Sequence, residues 1–278
     1  MIHTFHAHAK INWSLNITGR RADGYHLLDM LMQRVALYDT LTVEPDASLS
    51  LRVDGAKAGE ENLVLRAAAA LNRCAGTRRG ARMALSKRIP ARAGLGGGSA
   101  DCATALRALN DLWALGLSDE ALTDIGLALG ADVPFCMTGG LARVRGIGEE
   151  IVPVPGAPRI PLALVVPGGG LSTGAVFSLW DRGGFPRVDL DNEALAAAVA
   201  ARNIEAVDRL CANALTAPAV SLMPGIGELI DGMKALGAGA AFMTGSGSGV
   251  VGAFATAESA RRAADALPGA IVTETMEN

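Results

Sequence analysis

A glycine-rich stretch, set between a strand and an amphipathic helix, constrains this chain more than any other feature. It reads Pro90, Ala91, Arg92, Ala93, Gly94, Leu95, Gly96, Gly97, Gly98, Ser99, Ala100. Met83 to Ile89 before it reads as a strand that Pro90 ends, and a helix is expected from Ser99 to about Trp113. Glycines at 94, 96, 97 and 98 let successive backbone amides converge on one point without Cβ obstruction. The helix that opens at Ser99 adds first-turn amides that are unpaired and carry partial positive charge. Loop and helix start together form an anion cradle suited to ATP phosphates. The stretch is not a Walker A loop, because no Gly-Lys-Ser/Thr follows at the required spacing. A dinucleotide fingerprint would need an N-terminal βαβ unit instead. A plain flexible linker does not suit a position between a strand and an amphipathic helix. Asp101 suits the helix dipole and is given no further role.

Around this loop, strands and helices mix without a steady βαβ repeat, which favours an α+β fold over a doubly wound sheet. Phe5, Ala7, Ala9 and Ile11 alternate with His6, His8, Lys10 and Asn12, the period of a strand. Arg20 to His26 reads as a polar loop, and Leu41 to Val43 and Leu49 to Val53 as further strands. Asn62 is placed to cap a helix that stops at Gly76, and Ser118 begins another. Pro153, Pro155, Pro158 and Pro161 punctuate a linker, dividing the chain into domains 1–154 and 155–278. Beyond it come a strand at Leu162 to Val166 and helices starting near Ser172, Asp191 and Gly225. Strands Ala240 to Met243 and Val250 to Phe254 flank a second glycine loop, and a helix from Thr256 precedes a last strand at Ile271 to Thr275.

Composition limits the partners. At 278 residues the chain suits one large or two fused domains. Half of its residues are hydrophobic but only 4% are aromatic, so the core must be built mostly of Ala, Leu and Val. A net charge of −3 supplies no basic surface for nucleic acid. Cys74, Cys102, Cys136 and Cys211 form no C-x-x-C pair and read as buried free thiols in a reducing compartment. No basic patch followed by an apolar run marks a secretory signal, and no apolar run is long enough to cross a bilayer. The expectation is a cytoplasmic protein with no membrane partner. His3, His6 and His8 alternate but have no Cys or acidic residue nearby in sequence, so no metal ligand is assigned.

Four stretches together resemble the GHMP kinases, the family of galactokinase and of homoserine, mevalonate and phosphomevalonate kinases. The glycine loop running into Ser99, Ala100 and Asp101 is similar to the family's second motif, and Thr244 to Gly249 to its third. Ala9-Lys10-Ile11-Asn12 with Thr18 to His26, and Leu129-Gly-Ala-Asp132-Val-Pro134-Phe, resemble one branch, whose methylerythritol substrate carries a diphosphocytidyl group. His8 and Gly249-Val250 depart from that branch's usual pattern. The resemblance implies an N-terminal ribosomal-S5-like domain and a C-terminal ferredoxin-like domain. It implies transfer of the ATP γ-phosphoryl group, with Mg²⁺, to the 2-hydroxyl of that small molecule, a step of isoprenoid precursor synthesis by the methylerythritol phosphate route. A monomer or weak homodimer is expected.

The same resemblance implies roles for particular residues, each chemically sensible. Phosphoryl transfer needs ATP held in line, negative charge stabilised and a hydroxyl proton accepted. Lys10 matches the charge-stabilising lysine and Asp132 the proton acceptor. An ordinary aspartate, with a pKa near ~4, suits a late acceptor rather than a base that ionises the alcohol outright. Residues 90–100 would hold the phosphates, and Asn62 and Lys87 fall where the branch contacts adenosine. Asn62 equally suits a helix cap and Lys87 a strand-end cation. Tyr25 and Phe177 match rings that enclose cytosine, with His26 bonding the base edge; Asn12 and Thr173 match polar substrate contacts. Another GHMP kinase, of the homoserine or mevalonate type, would have no base for those rings to stack on. A ligand sensor without turnover would not need Lys10 and Asp132. An RNA-binding module conflicts with the acid-leaning charge and scarce aromatics.

Overall fold

The computed structural model describes residues 1–186 and 188–277. Its first elements are β1 (His3–Arg20), β2 (His26–Asp46), β3 (Leu49–Val53), β4 (Ala56–Lys57), α1 (Leu63–Cys74), β5 (Gly80–Ser86) and α2 (Gly97–Leu112). Then follow α3 (Asp119–Leu129), α4 (Val133–Thr138), β6 (Leu141–Gly146), β7 (Glu150–Pro153), β8 (Pro161–Val165) and α5 (Thr173–Asp181). The chain continues through α6 (Asn192–Ala200), α7 (Ile204–Leu210), α8 (Thr216–Leu222), α9 (Gly225–Ala235), β9 (Ala240–Met243), β10 (Val250–Ala253), α10 (Ala257–Asp265) and β11 (Ile271–Glu274). These elements gather into two compact units, each drawn from distant parts of the chain. One comprises Met1–Ala9, Leu37–Ile89 and Gly96–Thr138; the other comprises Lys10–Ala36, Pro90–Leu95 and the chain from Gly139 on.

In the first unit, β5 lies between the second half of β2, antiparallel with Thr40 opposite Ser86, and β3, which runs parallel to it. A parallel pair needs a crossover, and α1 supplies it. Alternation along β5 turns Ala81, Met83 and Leu85 into the core and leaves Arg82 outside. Helices α1 to α4 close that face. Val64, Ala67, Ala68 and Leu71 of α1 meet Cys102, Ala105, Leu106 and Leu109 of α2, with Leu122, Val133 and Met137 completing the cluster. Full burial of each Leu, Val or Met contributes about 1.5–3 kcal/mol, and the alanines between them give the core its expected Ala-Leu-Val character. Asn62 and Ser118 accept hydrogen bonds from the first turns of α1 and α3, as their positions predict.

In the second unit, the first half of β2 pairs with β6, Leu28 opposite Gly146, and β6 turns back along β7. A second sheet, with four antiparallel strands in the order β11-β8-β10-β9, follows the ferredoxin-like path of strand, helices, two strands, helix, strand. Strands β8, β9 and β10 are buried at every position, so they read as unbroken apolar runs rather than alternating ones. The Trp13 ring lies 5.2 Å from that of Phe242, and its indole N–H donates to Gln33 Oε1 at 2.8 Å.

Several elements differ from the sequence reading. Strand β2 starts at His26, well before Leu41, and the polar loop before it is confined to residues 21–25. The proline-punctuated stretch holds the end of β7, and α7 and α8 occupy a region read without helices. All four cysteines are free, but Cys74, the last residue of α1, is exposed. Burial pushes the thiols of Cys102 and Cys211 up to about 12, which makes them unreactive. Among the described residues, no helix is long and apolar enough to cross a membrane.

Candidate active site

The glycine stretch performs two local tasks. From Gly96 onward it starts a helix. Gly96 is the N-cap of α2 in the left-handed conformation (φ 67°, ψ 19°), and only its carbonyl takes part in the cap, accepting from Ala100 N at 2.8 Å. A helix start leaves its first amides without intrahelical acceptors, and Gly96 has no side chain to cap those of Gly97, Gly98 and Ser99. The helix therefore begins two residues earlier than Ser99. Its first turn faces the turn that carries Asp132: a Cβ on Gly130 would lie 3.8 Å from Ser99 Oγ. The half-buried Asp132 sits just before α4, and its carbonyl accepts from Cys136 N at 3.1 Å.

Beneath the same helix start lies an ion cluster that sequence reasoning missed in part. Lys87 Nζ donates to Asp39 and, at 2.6 Å, to Asp101 Oδ2. Asp39 is fully buried and also accepts from the backbone of Arg88 (2.5 Å) and Ile89 (2.8 Å), fixing the chain just before the glycine stretch. Burial pushes the Asp101 carboxyl up to about 7; Lys87 opposes this and the neighbouring Asp39 charge adds to it. Asp101 Oδ1 is buried without a hydrogen-bond partner. Lys87 is thus held in an ion cluster, and Asn62, the other residue matched to adenosine, spends its side-chain oxygen on Val64 N at 2.9 Å.

From Pro90 to Leu95 the stretch is stitched to the second glycine loop. Ser248 N donates to Arg92 O (3.2 Å), Gly249 N to Ala93 O (3.1 Å), and Thr244 Oγ1 to Gly94 O (3.4 Å). Gly94 has φ 71°, and a Cβ there would collide with the Thr244 carbonyl. A Cβ on Gly249 would likewise strike the Ala93 carbonyl, which gives a packing reason for glycine at this departure from the branch pattern. Strand β1 joins them: Lys10 N donates to Leu95 O at 3.0 Å and Asn12 N to Thr244 Oγ1 at 2.9 Å. Lys10 and Asn12 are 4% and 1% exposed, and Lys10 Nζ donates to Asn12 Oδ1 at 2.6 Å. On the polar face of β1, Lys10 and Asn12 are therefore buried, while His6 is exposed.

A third group forms around His26. Its ring stacks on Phe177, with centroids 4.7 Å apart and planes at 27°, and meets Trp180 edge-on at 5.8 Å. Its Nε2 lies 2.7 Å from Asp181 Oδ1, and Arg20 approaches the other oxygen at 3.5 Å. Tyr25, 61% exposed, has no ring contact in this cluster among the described residues. His26 itself, rather than an open slot, lies over Phe177. Thr173 Oγ1 is 2.8 Å from Ser246 Oγ, joining the start of α5 to the second glycine loop. Among residues 177–181, the sequence reading singled out Phe177 but not Trp180 or Asp181. Their spacing of three and four from Phe177 on a helix was the available signal. His6 and His8 pack against Tyr38, at 4.1 and 5.3 Å between centroids.

A ferredoxin-like sheet in a two-part α+β chain, with a glycine-started helix beside an aspartate turn, defines a GHMP-type small-molecule kinase. The models for the GHMP kinase N-terminal and C-terminal domains match residues 62–140 and 194–272. A 4-diphosphocytidyl-2-C-methyl-D-erythritol kinase from Pelotomaculum thermopropionicum is 41% identical over 95% of this chain and 93% of its own. One from Moorella thermoacetica is 42% identical over 98% and 99%. A crystal structure of 4-(cytidine 5'-diphospho)-2C-methyl-D-erythritol kinase superposes with a TM-score of 0.85 at 37% identity, covering 99% of this chain and 100% of that one. The homoserine kinase of Cytophaga hutchinsonii, at 18% identity and a TM-score of 0.75, shares the fold. The chain belongs to the 4-diphosphocytidyl-2-C-methyl-D-erythritol kinase family.

Proposed function

We propose that this kinase transfers the γ-phosphoryl group of ATP to the 2-hydroxyl of 4-diphosphocytidyl-2-C-methyl-D-erythritol, in isoprenoid precursor synthesis by the methylerythritol phosphate pathway. The observation that carries the reading is the uncapped start of α2 beside the Asp132 turn, combined with membership of this kinase family. The amides of Gly97, Gly98 and Ser99 hold phosphate oxygens at the positive end of the helix. Pro90 to Leu95 shape the rest of the loop, and Asn62 and Lys87 act at the adenosine side, Lys87 through the ion cluster that fixes its position. As the oxygen–phosphorus bond forms and ADP departs, the hydroxyl proton passes to Asp132. The buried Lys10 ammonium, steadied by Asn12, offsets charge on the oxygens being rearranged.

Mg²⁺ bound with ATP would supply charge neutralisation across the nucleotide phosphates. Tyr25, His26 and Phe177 recognise the cytosine, His26 through the base edge, and Thr173 and Asn12 contact the rest of the substrate. The two family models fall on either side of a division at 154/155, which supports assigning nucleotide work to the first part. The protein acts in the cytoplasm, as a monomer or weak homodimer. Asp132→Asn tests the chemistry: turnover falls about 10²- to 10⁴-fold while ATP still binds, because only the proton acceptor is lost. Near-normal turnover in the purified variant contradicts the assignment.

A further inference from the structure

Helix α5 presents Phe177, Trp180 and Asp181 on one face, at spacings of three and four, and all three touch the His26 ring. Phe177 fixes the plane of the imidazole by stacking, and Trp180 meets its edge. What remains free is rotation of the ring within that plane and the choice of which nitrogen carries the proton. Asp181 governs both. Its Oδ1 is 2.7 Å from His26 Nε2, and an ionised carboxylate has only acceptors to offer, so Nε2 must carry a hydrogen. The carboxylate is itself placed from the other side, by Arg20 at 3.5 Å. Arg20 Nε also donates to Gly24 O at 3.1 Å, so the turn before His26 and the end of α5 are tied to the same guanidinium.

We propose that Asp181 is a positioning residue for base selection: it holds His26 as the Nε2–H tautomer and so presents Nδ1 to the substrate as a hydrogen-bond acceptor. The proposal rests on the reading of His26 as the cytosine contact. A neutral imidazole with hydrogen on Nε2 has its lone pair on Nδ1. Cytosine carries an exocyclic amino donor at position 4, where uracil carries a carbonyl acceptor. Nδ1 therefore accepts from cytosine, whereas against uracil two acceptors face each other and neither is satisfied. A polar group left unpaired in this way costs about 1–3 kcal/mol, equivalent to about 5- to 150-fold in binding. The direction of the preference is set one residue away from the base, by an oxygen that never touches it.

The test combines ring spectroscopy with a specificity ratio. In the full-length protein without ligand, ¹⁵N–¹H correlation spectra of the His26 ring show the Nε2–H tautomer. Asp181→Asn, whose carboxamide can donate as well as accept, shifts the ring toward Nδ1–H. The same variant raises the KM for the cytidine substrate about 10-fold. It lowers the ratio of kcat/KM for cytidine over uridine substrate by at least about 10-fold, the loss of one discriminating hydrogen bond. The KM for ATP stays within about twofold, and Asp181→Glu restores part of the ratio. An Nδ1–H ring in the wild type, or a cytidine preference that survives in folded Asp181→Asn, overturns the role of Asp181 alone. A wild type with no cytidine preference overturns the reading of His26 as base contact, and the proposal with it.

Discussion

Single side chains in this kinase separate into those that hold the backbone and those free to act on a ligand. The Lys87 cluster belongs to the first kind. Asp101 is an acid whose folded value is pushed up to about 7 by burial, so the folded state holds its proton more tightly than an unfolded chain, where the value is near 4. Its contribution is therefore fully present below about pH 4 and lost as pH rises through about 7. Asp101→Asn has no proton to lose. Its stability deficit relative to wild type should narrow between pH 4.5 and 8, in urea melts at about those two values. A deficit that widens with pH would mean that the ionised Asp101–Lys87 pair stabilises the fold. Tyr25 belongs to the second kind. Because its ring is exposed, Tyr25→Ala should change stability by no more than about 0.5 kcal/mol. The KM for the cytidine substrate should rise about 5- to 150-fold, the worth of one stacked base. Steady-state kinetics beside a thermal melt separates the two effects.

At the scale of elements, the glycine stretch is where sequence and structure agree most closely, for a physical reason. Gly94 and Gly96 need left-handed backbone, and such a requirement is visible in residue identity alone. Gly94→Ala should cost about 1–2 kcal/mol from the backbone conformation, with a further cost from collision with the Thr244 carbonyl. Gly98→Ala, whose Cβ would meet Leu63 Cδ1 at an ordinary 3.5 Å, should leave the urea midpoint nearly unchanged. Equal midpoint losses would remove the distinction. Caps were legible for the same local reason: Asn62, Ser118, Asp191 and Thr256 each bond an amide two or three residues on. Strand β2 was not legible between residues 27 and 40. Met30 to Gln33 are buried in a row, and from Arg34 to Thr40, where burial does alternate, the inward set ends on the charged Asp39, so the apolar alternation of a half-buried strand is masked. Nor could sequence place Asp39 under Lys87 or Asp181 beside His26. Those partners lie 48 and 155 residues apart, and nothing local encodes the pairing.

Over the whole molecule, the chain passes between its two units within β1, within β2, at both ends of Pro90–Leu95 and between Thr138 and Gly139. The second unit depends on these early segments. Gln33 Nε2 donates to the carbonyls of Pro158 (3.3 Å) and Met276 (3.2 Å), and Trp13 covers Phe242. A fragment of residues 155–278 should therefore show no cooperative thermal transition, despite containing the entire four-stranded sheet. A sharp transition would show that the early segments are dispensable for that part of the fold. The kinase assignment itself follows from membership of the family, and the proposed roles of the cradle, Asp132, Lys10 and the His26 cluster give that assignment its chemistry. Its most direct test is a steady-state panel with ATP and Mg²⁺ against 4-diphosphocytidyl-2-C-methyl-D-erythritol, methylerythritol lacking the nucleotide, homoserine and mevalonate. The expected result is phosphorylation of the diphosphocytidyl compound with a kcat/KM at least about 100-fold above every other acceptor, as loss of a stacked and hydrogen-bonded base requires. Equal phosphorylation of methylerythritol lacking the nucleotide, or a preference for homoserine or mevalonate, would contradict the account.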